Sequence, residues 1–219
     1  MPRSLLFARP IHMGLLALAA AALHASLATA QWSSCVGTAG LNMQALGSRG
    51  NDAFAGGATG AYRSVDGAVS FAPSNSGNAV GGPTRGFAVD ANYIYTCTSQ
   101  GVFRSADGGA TWIARSQGLG NLLSSGILSV QGHLFVVSPT GVFRSDNQGD
   151  GWSAAGMVGV DVRCIAAVDS TLFVGTNGAG VFVTTDAGEN WVPVNTGLAF
   201  AASGTVLLVM FSAVATCRK

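Results

Sequence analysis

The groups that could do chemistry in this chain are few, and most of them recur in register. Among its 219 residues are ten acids, eleven Lys and Arg, three His and four Cys. Splitting a glycosidic bond takes two carboxylates placed across one sugar. Here the only glutamate is Glu189, and Asp66, Asp107 and Asp186 stand at matching places in a repeated motif. Outside that motif the acids are Asp52, Asp90, Asp161 and Asp169. Three of these precede the aromatics Phe54, Tyr95 and Phe173 by two to five residues, which places them in turns, where Asp is a preferred residue. Asp161 alone falls outside both patterns. His133 precedes Leu134-Phe135 in the same kind of turn, and no Gly-x-Ser-x-Gly elbow accompanies it. The spacing of Cys35, Cys97, Cys164 and Cys217 matches no zinc pattern and leaves three disulfide pairings open. No metal or other cofactor is expected.

The elements that carry these residues show themselves through repetition. Gly101-Val-Phe-Arg-Ser-Ala-Asp-Gly-Gly-Ala-Thr-Trp112 returns as Gly141-Val-Phe-Arg-Ser-Asp-Asn-Gln-Gly-Asp-Gly-Trp152 and as Gly180-Val-Phe-Val-Thr-Thr-Asp-Ala-Gly-Glu-Asn-Trp191. A weaker copy runs from Gly60 to Phe71, with Ala68 for the glycine and Phe71 for the tryptophan. Ser64, Ser105, Ser145 and Thr184 lie 41, 40 and 39 residues apart, and Phe71, Trp112, Trp152 and Trp191 keep those spacings. Upstream of each copy Phe54, Tyr95, Phe135 and Phe173 sit in short apolar stretches. Four short strands in about 40 residues is the period of a propeller blade. The predicted fold is therefore all-β, a propeller of about four blades over 31–200.

The copies resemble the Asp-box, or bacterial neuraminidase repeat, with its Ser/Thr-x-Asp-x-Gly-x-x-Trp pattern. The resemblance implies a hairpin joining a blade's last two strands. In it Ser64, Asp66 and Phe71, Ser105, Asp107, Gly109 and Trp112, Ser145, Asn147, Gly149 and Trp152, and Thr184, Asp186, Gly188 and Trp191 would be structural. The aspartates would accept turn amides, and Asn147 would do so through its amide oxygen. The resemblance covers sialidases, plant-polysaccharide hydrolases, sortilin-like receptors and photosystem II assembly factor-like propellers. A sialidase would need an arginine triad, yet no Phe/Tyr-Arg-Ile-Pro motif occurs, and Arg63, Arg104 and Arg144 each directly precede a box hydroxyl. The expected function is that of a non-catalytic binding or scaffold module for a protein or glycan. The alternative is a glycoside hydrolase, sialidase-like or β-glucan-cleaving, or an inactive fragment of one.

Both ends of the chain differ from the repeat. Arg3 and Arg9, the apolar run Met13 to Leu23 and the small residues before Ala30 have the layout of a secretory signal peptide over 1–30. The apolar run is short for an uncleaved membrane anchor. Cleavage leaves nine basic side chains against ten acidic ones, a net charge near −1, which excludes a nucleic-acid footprint. A secreted or periplasmic location follows. Leu208 continues the Phe54 series at a spacing of 35, so 201–219 is expected to be a partial fifth blade, left by an interrupted gene. The competing reading makes the uncharged run from Leu198 to Thr216 a membrane anchor, although Ser203, Gly204, Thr205 and Ser212 interrupt it. Mass spectrometry of the exported protein should find Gln31 at its amino terminus; an intact Met1 there would refute the leader.

Overall fold

The computed structural model describes residues 35–76 and 82–197. The leader and the 201–219 segment lie outside them. Sixteen strands form four sheets in chain order. Blade 1 holds β1 (Met43–Arg49), β2 (Asp52–Gly57), β3 (Gly60–Ser64) and β4 (Ala72–Pro73). Blade 2 holds β5 (Thr84–Val89), β6 (Ile94–Thr98), β7 (Gly101–Ser105) and β8 (Ile113–Ala114). Blade 3 holds β9 (Gly126–Val130), β10 (His133–Ser138), β11 (Gly141–Ser145) and β12 (Ser153–Ala154). Blade 4 holds β13 (Val162–Val168), β14 (Thr171–Thr176), β15 (Val181–Thr184) and β16 (Val192–Pro193). Every pairing between these strands is antiparallel, so each blade is a meander. A meander sends its first and third turns to one end and its second turn to the other. All four Asp-boxes, as third turns, therefore share one end.

The first strands stack in series, β1 on β5, β5 on β9 and β9 on β13. Apolar side chains alternate along each strand, and both faces of an internal sheet meet a neighbouring blade. The core accordingly lies between blades. Phe54 and Ala61 of blade 1 pack with Ile94, Phe103 and Trp112 of blade 2. Tyr95, Cys97 and Val102 of blade 2 pack with Ile127, Leu134, Phe143 and Trp152 of blade 3. Phe135, Val137 and Val142 of blade 3 pack with Val162, Leu172 and Val174 of blade 4. Burial pushes the Cys97 thiol up to about 12, so it serves as a small apolar filler. Cys35, Cys97 and Cys164 form no disulfide with one another.

Each box tryptophan fastens its own blade to the preceding one. The Trp112 indole N–H donates to the Ser74 carbonyl at 2.8 Å, that of Trp152 to Arg115 at 2.8 Å and that of Trp191 to Ala155 at 2.8 Å. The main-chain N–H groups of Trp112 and Trp152 add bonds to the carbonyls of Ser76 and Gln117. Replacing Trp152 by Ala removes a buried ring together with its tether, and should cost about 3–5 kcal/mol in urea unfolding. An unchanged midpoint would show that the blades do not depend on this contact.

Candidate functional site

At the box end the hydroxyls and the carboxylates of Asp66, Asp107 and Asp186 are committed to the turns. Ser105 Oγ donates to Asp107 at 2.8 Å and accepts the Gly109 N–H at 2.7 Å. Asp107 in turn accepts the Thr111 N–H at 2.8 Å and hydroxyl at 2.6 Å. The same loop recurs with Ser64, Asp66 and Ser70, and with Thr184, Asp186 and Asn190. Asn147 reproduces the geometry with a neutral oxygen, accepting from Ser145 at 2.8 Å and from Gly151 at 2.8 Å. Gly109, Gly149 and Gly188 have φ of 89°, 86° and 92°, and Ala68 takes the same left-handed place at 70°. Hydrogen bonds from Thr111 hold the Asp107 carboxyl down at about 2, and bonds led by Thr184 do the same for Asp186.

The repeated arginines are committed as well. Arg104 donates to the Gln148 carbonyl of the next box at 2.8 Å, pairs with Asp150 at 3.1 Å and stacks 4.5 Å above the Tyr93 ring. Arg144 reaches the Ala187 carbonyl of the next box at 3.4 Å and pairs with Asp146, which also binds His133. Arg63 pairs with Asp52 and lies against Gly108 of the next box. Each guanidinium thus bridges one blade to the following box turn, so the three do not converge on a single anion. Blade 4 has Val183 at this place.

The opposite end carries the free groups. Nine of the ten acids belong to the boxes or to the turns between first and second strands, which leaves Asp161 alone at this end. Its Oδ2 accepts from Arg163 and from Asn177 Nδ2, the latter at 3.0 Å. Near this end the register of β1, β5 and β13 shifts, inserting Gln44, Arg85 and Arg163 as bulge residues. In blade 3 the N–H of Ser125 donates to the Val137 carbonyl, which puts Ser125 beside Gly126 opposite one partner. A bulge turns its extra side chain out of the ladder. Gln44, Arg85 and Arg163 are exposed, and Arg85 has no ion-pair partner among the described residues.

Buried hydroxyls stiffen the second turns around these bulges. Thr98, Ser138 and Thr176 each donate to the carbonyl of the glycine at or just before the start of the third strand, Gly101, Gly141 and Gly180. They also accept the N–H of Gln100, Thr140 and Ala179. Sequence reasoning missed both sets. The turn signal was a hydroxyl three or four residues before the box-opening glycine. At two of the four bulges the signal was an arginine interrupting an otherwise small or apolar first strand.

No family model and no curated protein sequence matches the chain. Solved structures do. A GH74 enzyme from Niastella koreensis matches with a TM-score of 0.52 and 17% identity over 69% of this chain and 24% of its own. YCF48 from Cyanidioschyzon merolae matches with a TM-score of 0.56 and 13% identity over 69% of this chain and 55% of its own. YCF48 bound to D1 peptide matches with a TM-score of 0.54 and 15% identity over 74% and 57%. These likenesses, with the four antiparallel sheets, define an Asp-box-type β-propeller fold. The chain spans 24% to 57% of the lengths of these three proteins.

The box carboxylates make acid stability a probe of the turns. A carboxyl held at about 2 contributes stability that is present above its unfolded value near 3.8 and is lost as the pH falls towards 2. Asp107→Asn, the exchange blade 3 already carries as Asn147, should flatten the fall in stability between pH 4 and 2 in urea titrations across that range. An unchanged slope would mean the turn is indifferent to the charge.

Proposed function

We propose that this chain is an exported, non-catalytic propeller module that binds a protein partner through the end opposite its Asp-boxes. The observation that carries this reading is the division of charge between the two ends. Nine of the ten acids sit at the box end, while the other end presents exposed Arg85 and Arg163 beside a single carboxylate already held by Arg163 and Asn177. Two sugar-flanking carboxylates have no place there, which speaks against a hydrolase of the usual kind. Exposed bulge arginines on stiffened turns suit a carboxylate or a string of carbonyls on a partner, because a guanidinium binds both with directed donors. The likeness to YCF48, one structure of which holds a D1 peptide, is consistent with a protein ligand. The likeness to GH74 enzymes keeps a glycan in play as the competing ligand.

The test uses acidic and neutral peptide arrays together with xyloglucan, β-glucans and sialosides. Acidic peptides should bind, and Arg85→Glu should weaken that binding at least about tenfold with unchanged thermal stability, the loss expected of a charge-assisted contact. Hydrolysis of any glycan, or peptide binding indifferent to Arg85→Glu, would overturn the proposal.

A further inference from the structure

Three blade-to-blade contacts define what covers the following side of a blade in this chain. On that side the second strand carries Phe54, Tyr95 and Phe135, each 0% exposed, and the third carries Ala61, Val102 and Val142, all buried. In blade 4 the corresponding Phe173 and Val181 are only half-buried. Val168 is 61% exposed and Val194 40%. The acceptor recurs too. The Val194 N–H donates to the Val181 carbonyl as that of Arg115 does to Val102 and that of Ala155 to Val142. Among the described residues blade 4 thus presents an uncovered interface of the internal kind, with Val183 where the bridging arginine stands in the other blades.

The phase of the chain names an occupant. Gly37 and Gly118, just before the first strands of blades 1 and 3, precede Ala45 and Gly126 by eight residues. Eight residues after Gly197 begins Thr205-Val-Leu-Leu-Val209, which parallels Gly126-Ile-Leu-Ser-Val130 of β9. In every blade nine residues separate this place from the buried second-strand position: Ala45 to Phe54, Gly86 to Tyr95, Gly126 to Phe135 and Cys164 to Phe173. Nine residues beyond Thr205 is Val214, in Ala213-Val-Ala-Thr216. Counting from Gly197 therefore moves Leu208 from the second strand of a fifth blade to the first.

We infer that residues 205–209 and 213–217 dock as a two-stranded half-blade on the following side of blade 4, covering Phe173 and Val181. A second copy of the chain fits less well. The N–H of Phe71 already donates to the Val36 carbonyl at 2.8 Å, as Trp152 does to Gln117 at 2.9 Å. Residues 35–37 thereby fill the place on blade 1 that the tail of another copy's blade 4 would enter.

Hydrogen exchange read by mass spectrometry on the full exported chain, beside the double variant Val206→Asp, Leu208→Asp, tests this docking. The substitutions lie outside the four blades, so protection in blades 1–3 reports that the variant is folded. Amides of 205–209 and of β14 should exchange on the order of 100-fold more slowly in the unaltered chain than in the variant, with light scattering giving a monomer in both. Rapid exchange of 205–209 in the unaltered chain would overturn the inference. So would equal protection of β14 in both proteins, or protection that appears only in a dimer, which would make a second copy the cover.

Discussion

The contact on which this fold rests is the seating of each Asp-box on the blade before it. A four-stranded meander of about 40 residues buries little by itself, because its outer strand is two residues long and both faces are apolar. Stacking closes those faces, and the tryptophan sets the geometry by placing its ring in the seam and its indole N–H on a main-chain carbonyl. The turn behind it is held rigid by the hydroxyl and the carboxylate or amide. The arginine of the preceding third strand then grips that turn from the far side. Ring, turn and guanidinium thus serve one seam, which explains why they recur with one spacing.

The departures from the repeat make sense in the same terms. Blade 1 has no earlier blade among the described residues, so its box needs no indole donor, and Phe71 suffices with its N–H on Val36. Its Ala68 has a φ of 70°, a place that costs a residue with a Cβ more than glycine. Asn147 can replace aspartate because the bonds it accepts come from a hydroxyl and an amide, neither of which needs a full negative charge.

Legibility from the sequence follows the same division. The strands and boxes were plain because a blade repeated four times leaves the same residues at a fixed spacing, and Phe54, Tyr95, Phe135 and Phe173 mark it without any coordinates. The bulges were hidden for the opposite reason. Gln44, Arg85, Ser125 and Arg163 share a place in the fold and not a residue type, since a side chain turned to solvent is under no common packing constraint. Asp161 stood out as the acid outside every pattern, but its partners Arg163 and Asn177 came together only when β13 was laid beside β14.

That difference bears on how such a scaffold acquires a ligand. The box end is crowded with groups whose bonding is internal, so a substitution there is felt first as stability. At the other end the turns are stiffened by buried hydroxyls that face inward, and the bulge side chains are free of the ladder. Side chains can change there without disturbing a seam, as glutamine, arginine, serine and arginine in four equivalent places illustrate. The charge follows from the same separation. Turn formation draws aspartates to the box end, and the far end is left basic around Arg85 and Arg163 with no further requirement.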